Sequence, residues 1–188
     1  EGAGFVPASN ITGDKETGLG NWTDGEILRA LTSGVSKDGS FLAPMMPYTL
    51  FSKMDKEDLY AIIAYIRTLP AINNKVPKKE LKFPVNLIFR TIPSDVTEYG
   101  KRPDGLDKIK QGEYLGYACK FCHSPSEKGE IIPGMEFAGG MEFSMPDGTT
   151  IRSSNITPDK ETGIGNMTKE MFIARFKSCG DDSNLDPK

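Results

Sequence analysis

A block of sequence that occurs twice constrains the fold of this 188-residue chain more than any other feature. Residues 9–23 read SNITGDKETGLGNWT, and residues 154–168 read SNITPDKETGIGNMT. Two copies this similar, at an offset of 145 residues, are expected to do the same structural job. The chain is therefore predicted to contain two related units.

Each copy is followed by apolar residues at helical spacing. These are Ile27, Leu28 and Leu31 after the first copy and Phe172, Ile173 and Phe176 after the second. Thr23 and Glu26 form a capping box that starts the first helix, while Thr168 is expected to cap the second without an acidic partner at Met171.

Two further helices are predicted. One follows Asp55, ends before Pro70 and has an apolar face formed by Leu59, Ile62, Ile63 and Ile66. The other runs from about Asp107 to Ala118. Alternation typical of strands is weak throughout the chain. We therefore predict a mainly α protein.

Prolines at positions 77, 84, 93 and 103 leave little room for long regular elements in the middle of the chain. We assign residues 71–106 to a Pro-rich linker, residues 1–70 to the C-terminal part of a first domain, and residues 107–188 to the N-terminal part of a second. Residues 71–112 hold nine Lys or Arg against five acids. A solvated connecting segment is the favoured interpretation of this charge, and contact with a partner is the alternative.

Composition excludes several classes of function. Apolar residues make up 37% of the chain, charged residues 26%, and the net charge is -3, which favours an ordinary globular protein over a nucleic-acid-binding one. The longest apolar stretch, residues 59–66, is far shorter than the roughly 20 residues that a transmembrane helix needs. No transmembrane segment is predicted, and the residues after Glu1 lack a signal-peptide pattern.

The strongest chemical motif is C-x-x-C-H, formed by Cys119, Cys122 and His123. Two thiols at this spacing can both add to the vinyl groups at one edge of a haem, and the adjacent imidazole then reaches the iron as the proximal ligand. The motif therefore predicts covalently attached haem c.

Zinc and thiol redox chemistry are the alternatives for the same cysteines. A structural zinc site normally needs a second pair of Cys or His, and the chain offers only Cys179 and no further histidine. A thioredoxin-like pair would follow a strand, whereas a helical pattern precedes Cys119. Cys179 itself is interpreted as a small buried or idle thiol.

The second axial ligand of an electron-carrying haem is commonly a methionine. Met46 is the leading candidate, because it lies between Pro44 and Pro47 in a stiff loop that separates two predicted helices. Packing filler remains the alternative role for a loop methionine.

These motifs together resemble a known family. The block N-I-T-x-D-x-x-T-G-I/L-G, then P-x-M-P-Y, an acid-rich capped helix and A-Y-I-R-T-L-P, is similar to the multihaem cytochrome c subunits of bacterial membrane-bound alcohol, aldehyde and gluconate dehydrogenases. The resemblance covers almost the whole chain outside the linker and extends to other dihaem cytochromes.

The resemblance implies two cytochrome c-like units, each incomplete. It assigns Met46 as the axial ligand of the first unit's haem and places Trp22 near the haem propionates, with Met167 at the second copy's equivalent position. The N-I-T-x-D loop, which includes Asn155, would enclose the haem of the second unit.

The offset between the copies indicates that Met46 and the motif at Cys119 belong to different haems. Moving Cys119 back by the offset gives a position before Glu1, and moving Met46 forward gives one beyond Lys188. We therefore expect an internal fragment of a longer protein, in which Met46 serves a haem attached upstream. Crossed ligation, with Met46 on the haem held by His123, is the alternative.

The sequence thus predicts an electron carrier without catalytic side chains. Its expected location is the periplasm or the extracytoplasmic face of a bacterial membrane, because thioether haem belongs to an oxidising compartment. Expected partners are a dehydrogenase subunit on one side and a quinone oxidase or another cytochrome on the other. A dihaem peroxidase is the competing enzyme class.

Overall fold

The computed structural model describes residues 4–127, 130–145 and 147–178. The chain divides into two compact units, one ending at Ala118 and the other beginning at Cys119, here called unit 1 and unit 2. The helices are α1 (Asp24–Ser33), α2 (Tyr48–Phe51), α3 (Lys56–Thr68), α4 (Val85–Ile88), α5 (Lys108–Lys120) and α6 (Lys169–Ser178). The strands are β1 (Gly4–Phe5), β2 (Glu80–Leu81), β3 (Ser126–Glu127), β4 (Glu130–Ile131), β5 (Glu142–Ser144) and β6 (Thr150–Arg152).

The prediction of a mainly α protein is wrong. Helices account for only 31% of the structure, and the described residues also form small antiparallel sheets that pair β1 with β2, β3 with β4, and β5 with β6. Each strand is two or three residues long. Strands this short are too brief to show the alternation of apolar and polar residues from which a strand is predicted.

The core of unit 1 lies between α1 and α3. Ile27, Leu28 and Leu31 of α1 pack against Leu59 and Ile63 of α3, and the last two are 0% and 1% exposed. Burying such a side chain contributes roughly 1.5–3 kcal/mol. The apolar spacing that predicted both helices therefore also marks the residues that hold them together.

The starts of α1 and α3 are set by side-chain caps. The Thr23 hydroxyl accepts from the Glu26 amide at 3.2 Å, and the Glu26 carboxylate accepts from the Thr23 amide at 2.7 Å, which confirms the predicted capping box. At α3 the Asp55 carboxylate accepts from the Glu57 amide at 2.9 Å. Each cap satisfies backbone donors that a helix start would otherwise leave unpaired.

Helix α6 forms where the repeat predicts it, and the Thr168 hydroxyl accepts from the Met171 amide at 3.2 Å. Its apolar face differs from that of α1. The rings of Phe172 and Phe176 contact each other in a tilted arrangement with centroids 5.0 Å apart, and both are exposed, whereas their counterparts in α1 are buried. No helix among the described residues has the length and hydropathy to cross a bilayer.

Candidate haem-binding sites

The C-x-x-C-H motif lies at the C-terminal end of α5. Cys119 is in the last turn of the helix, and the His123 amide donates to the Cys119 carbonyl at 2.9 Å, so the helical turn continues through the motif. Both Cys119 and Cys122 are half-buried free thiols. The arrangement leaves two thiols available for thioether formation.

The ring of His123 is held by a backbone carbonyl. Its Nδ1 lies 2.7 Å from the carbonyl oxygen of Ser154. Since a carbonyl only accepts, this hydrogen bond requires the proton on Nδ1, and in the neutral ring Nε2 then keeps its lone pair. A backbone acceptor on one ring nitrogen is the usual way in which proteins fix a histidine whose other nitrogen binds a metal. The motif therefore fits a haem whose iron is bound by Nε2.

Ser154 is fixed by a close approach of backbone segments in unit 2. The Gly139 amide donates to the His123 carbonyl at 2.7 Å, and the Gly140 amide donates to the Ser153 carbonyl at 2.9 Å. Gly139 has a φ of 75°, and a Cβ there would lie 2.5 Å from the Ser154 carbonyl carbon. Glycine is thus required for the chain to pass this close to Ser154.

A second anchor lies directly after the motif. Ser124 is 1% exposed, and its hydroxyl accepts from the Phe137 amide at 3.0 Å. The Phe137 carbonyl in turn accepts from the Ile156 amide at 2.9 Å. The motif and the repeated loop are therefore tied together on both sides of His123.

Asn155 shapes the repeated loop of unit 2. Its carbonyl oxygen accepts from the amide and the hydroxyl of Thr157 at 2.8 and 2.7 Å, and its amide nitrogen donates to the Thr162 hydroxyl at 2.9 Å. Asn10 makes the same bonds to Thr12 and Thr17 in unit 1. The side-chain bonds of Asn155 are thus made within the loop that was expected to enclose the haem.

An aspartate completes each loop. The Asp159 carboxylate accepts from the amides of Glu161 and Thr162 at 3.0 and 2.7 Å, and Asp14 makes the matching bonds in unit 1. The Thr162 amide is the largest influence that lowers the pKa of Asp159, and the Thr17 amide does the same for the pKa of Asp14. These hydrogen bonds therefore favour the charged form of both carboxylates, which is the form that accepts them.

Met46 and Trp22 come together in unit 1. Both are partly buried and pack against the core cluster of α1 and α3, whereas the neighbouring Met45 is 56% exposed. The Met46 amide donates to the Ala43 carbonyl at 3.0 Å, and the amide of Tyr48, a residue that is 2% exposed, donates to the Met46 carbonyl at 2.8 Å. The loop thus presents Met46, and not Met45, to the interior of the unit.

Arg67, near the end of α3, fastens the first repeated loop to the core. Its guanidinium donates to the carbonyls of Leu19 and Trp22 at 3.0 and 2.6 Å and to the Asp24 carboxylate at 2.9 and 3.1 Å. The arginine joins the loop, the start of α1 and the end of α3 through one side chain. It therefore sets the position of the backbone that carries Trp22.

The predicted site residues fall into two groups. Unit 1 brings Trp22 and Met46 to one core, and unit 2 brings together His123 and the loop of Asn155. Within the described ranges no three His, Cys, Asp or Glu side chains are grouped to hold a metal ion. Cys179 lies outside the described residues.

Sequence reasoning missed several residues that position the site: Arg67, Ser124, Gly139 and Ser154. The adjacent Gly139 and Gly140 were a usable clue, because paired glycines mark a close backbone approach. Ser154 acts through its backbone carbonyl, which no side-chain pattern reveals.

Relatives of the chain are found among bacterial redox proteins, although no protein-family profile matches it. A subunit of the nicotinate dehydrogenase of Pseudomonas putida is 33% identical over 155 residues, which cover 73% of this chain and 12% of the relative. The cytochrome c subunit of the quinone-dependent alcohol dehydrogenase of Gluconacetobacter polyoxogenes is 29% identical, over 93% of this chain and 40% of the relative. A dihaem c-type cytochrome of Cereibacter sphaeroides is 26% identical, over 87% of this chain and 64% of the relative. The chain thus spans less than two thirds of the length of each of these relatives.

Proposed function

Because the chain is homologous to the cytochrome c subunits of bacterial alcohol, fructose and gluconate dehydrogenases, we propose that it carries electrons through a haem attached to Cys119 and Cys122, with His123 as proximal iron ligand. The hydrogen bond from His123 Nδ1 to the Ser154 carbonyl carries this assignment, since it leaves the lone pair on Nε2, at the side of the ring away from Ser154. Bound haem supplies a one-electron couple between ferrous and ferric iron.

The residues of unit 2 contribute geometry and electrostatics. Ser154 fixes the tautomer and the plane of the imidazole, and a hydrogen-bonded imidazole is a stronger donor to iron. Gly139 and Ser124 keep the two backbone segments in place around it. These residues hold the ligand in one position, which lowers the reorganisation that accompanies each electron transfer.

We further propose that Met46 binds the iron of a second haem, attached elsewhere in the protein, and that Trp22 lies at its edge. The packing of both residues against one core supports this assignment. A methionine ligand raises the reduction potential of a haem relative to stronger donors. The two haems would then form a relay from a dehydrogenase subunit to a quinone oxidase or another cytochrome, in the periplasm or at the extracytoplasmic face of the membrane.

Haem attachment tests the first part of the proposal. The protein as its gene encodes it is produced with a cytochrome c maturation system, denatured, and assayed for haem that remains covalently bound. A Cys119→Ser, Cys122→Ser double variant should lose one haem per chain. An unchanged haem count would refute the assignment of these cysteines.

Turnover tests whether the protein is a carrier. The reduced protein should pass electrons to an acceptor cytochrome and show no sustained consumption of hydrogen peroxide. Peroxide turnover together with a five-coordinate haem would instead identify a peroxidase and contradict the proposal.

A further inference from the structure

An exposed apolar surface outside the haem sites surrounds α4. Phe83, Leu87 and Ile88 are 78%, 48% and 54% exposed. Val85 and Phe89, one helical turn apart, are partly buried and face the opposite way. The turn is well formed, because the amides of Ile88 and Phe89 donate to the carbonyls four residues earlier at 3.2 and 2.9 Å. An ordered element therefore turns three large apolar side chains outward.

Basic residues accompany this face. Residues 75–90 contain Lys75, Lys78, Lys79, Lys82 and Arg90, with Glu80 as the one acid. The ammonium of Lys79 contacts the carbonyl and the ring of Phe41 in unit 1, so this lysine is not counted as part of the face. Lys78 and Arg90, on either side of α4, are exposed. The face is thus apolar at its centre and positive at its flanks.

We propose that Phe83, Leu87 and Ile88, flanked by Lys78 and Arg90, form a docking surface for a bilayer that contains anionic phospholipid. Apolar side chains of this size enter the boundary between head groups and acyl chains, and Lys and Arg reach back to the phosphates. Excess positive charge beside the apolar residues matches the negative potential of such a surface.

The size of the face favours lipid over a protein partner. Three side chains, two on the helical turn and Phe83 just before it, supply a few hundred Å² of apolar surface. A stable protein interface buries about 800 Å² on each partner. A lipid surface needs only shallow insertion of a few side chains, which the α4 face provides.

Vesicle binding tests the proposal and does not depend on the proposed electron transfer. The full protein with its haems is sedimented with phosphatidylcholine vesicles, with and without phosphatidylglycerol as a minor component. Binding should be stronger to the vesicles that contain phosphatidylglycerol. A Leu87→Ser, Ile88→Ser double variant should bind these roughly tenfold more weakly.

Charge and control variants sharpen the test. Lys78→Glu and Arg90→Glu should each weaken binding about fivefold or more, and added salt should reduce the difference. Leu106→Ser, which changes a side chain that is 90% exposed outside the α4 face, should leave binding unchanged. Unchanged haem spectra and circular dichroism establish that each variant is folded.

Two outcomes would overturn the proposal. One is equal binding by the wild type, the α4 variants and the Leu106→Ser control. The other is unchanged vesicle binding combined with slower electron transfer from a dehydrogenase in lipid-free solution, which would make the face a protein-docking surface instead.

Discussion

Replacing Arg67 by methionine is expected to lower the free energy of unfolding by ~2 kcal/mol. Arg67 donates to the carbonyls of Leu19 and Trp22 at 3.0 and 2.6 Å. Each of these bonds is worth about 1 kcal/mol. The ion pair with Asp24 adds less than about 1 kcal/mol, because the two side chains are 32% and 58% exposed and solvent screens the pair. Methionine retains the apolar stem, so the loss comes from the hydrogen bonds.

The assay is urea unfolding of the haem-loaded protein, followed by far-ultraviolet circular dichroism. Arg67→Lys should lose about half as much, because an ammonium cannot reach three acceptors in a fixed plane. Arg102→Met is the matched control: Arg102 forms an ion pair with Asp58 at 2.6 Å, the two side chains are 53% and 22% exposed, and removal of the pair should cost less than about 1 kcal/mol. An Arg67→Met variant that is no less stable than Arg102→Met would refute the role assigned to Arg67.

Three further outcomes are expected. Cys119→Ser should leave the haem attached by one thioether, with one vinyl group unreacted. In the absorption spectrum of the reduced pyridine complex of this haem, the α-band should therefore lie at a longer wavelength than in the wild type. Met46→Ala should lower the potential of one haem and change its spin state while the covalent haem count stays the same, whereas Met45→Ala, at an exposed position, should change neither. Because the pKa of Asp159 is lowered from 3.8, its charged form stabilises the loop at neutral pH and this stabilisation is lost as the pH falls through the lowered pKa; Asp159→Ala should therefore destabilise the protein at neutral pH and have a smaller effect in acid, measured by thermal unfolding.

Helices α1 and α3 and the core of unit 1 were predictable because local rules and packing agree there. The spacing of Leu59 and Ile63 predicts the buried face of α3, and both residues are buried. The capping box at Thr23 fixes the start of α1. Consistency between the cap, the apolar spacing and the packing made these elements visible in the sequence.

The short sheets were not predictable for a physical reason. Strands β5 and β6 pair over three residues each, with Phe143 opposite Ile151, and both of these side chains are exposed. No buried face imposes alternation on such a pair. It is formed by the close return of the chain around Gly148, which has a φ of 85°.

The sequence predicts the chemistry of the candidate site but not the residues that support it. Cys119, Cys122 and His123 stand out because thioether attachment requires this spacing. The partner of His123 is a backbone carbonyl 31 residues away, and any residue type could have supplied it. The three-dimensional path of the chain therefore determines the tautomer, and no sequence pattern reports it.

The two repeated loops share one set of hydrogen bonds between their own residues, and further bonds join each loop to the rest of its unit. Asn155 and Asp159 bond to residues of their own loop, as Asn10 and Asp14 do in the other copy. A loop that keeps its shape in this way tolerates a change at a position outside the network, such as Trp22 in one copy and Met167 in the other. Gene duplication would thus have produced two loops with the same internal hydrogen bonds, around which evolution can adjust the redox properties separately, one side chain at a time.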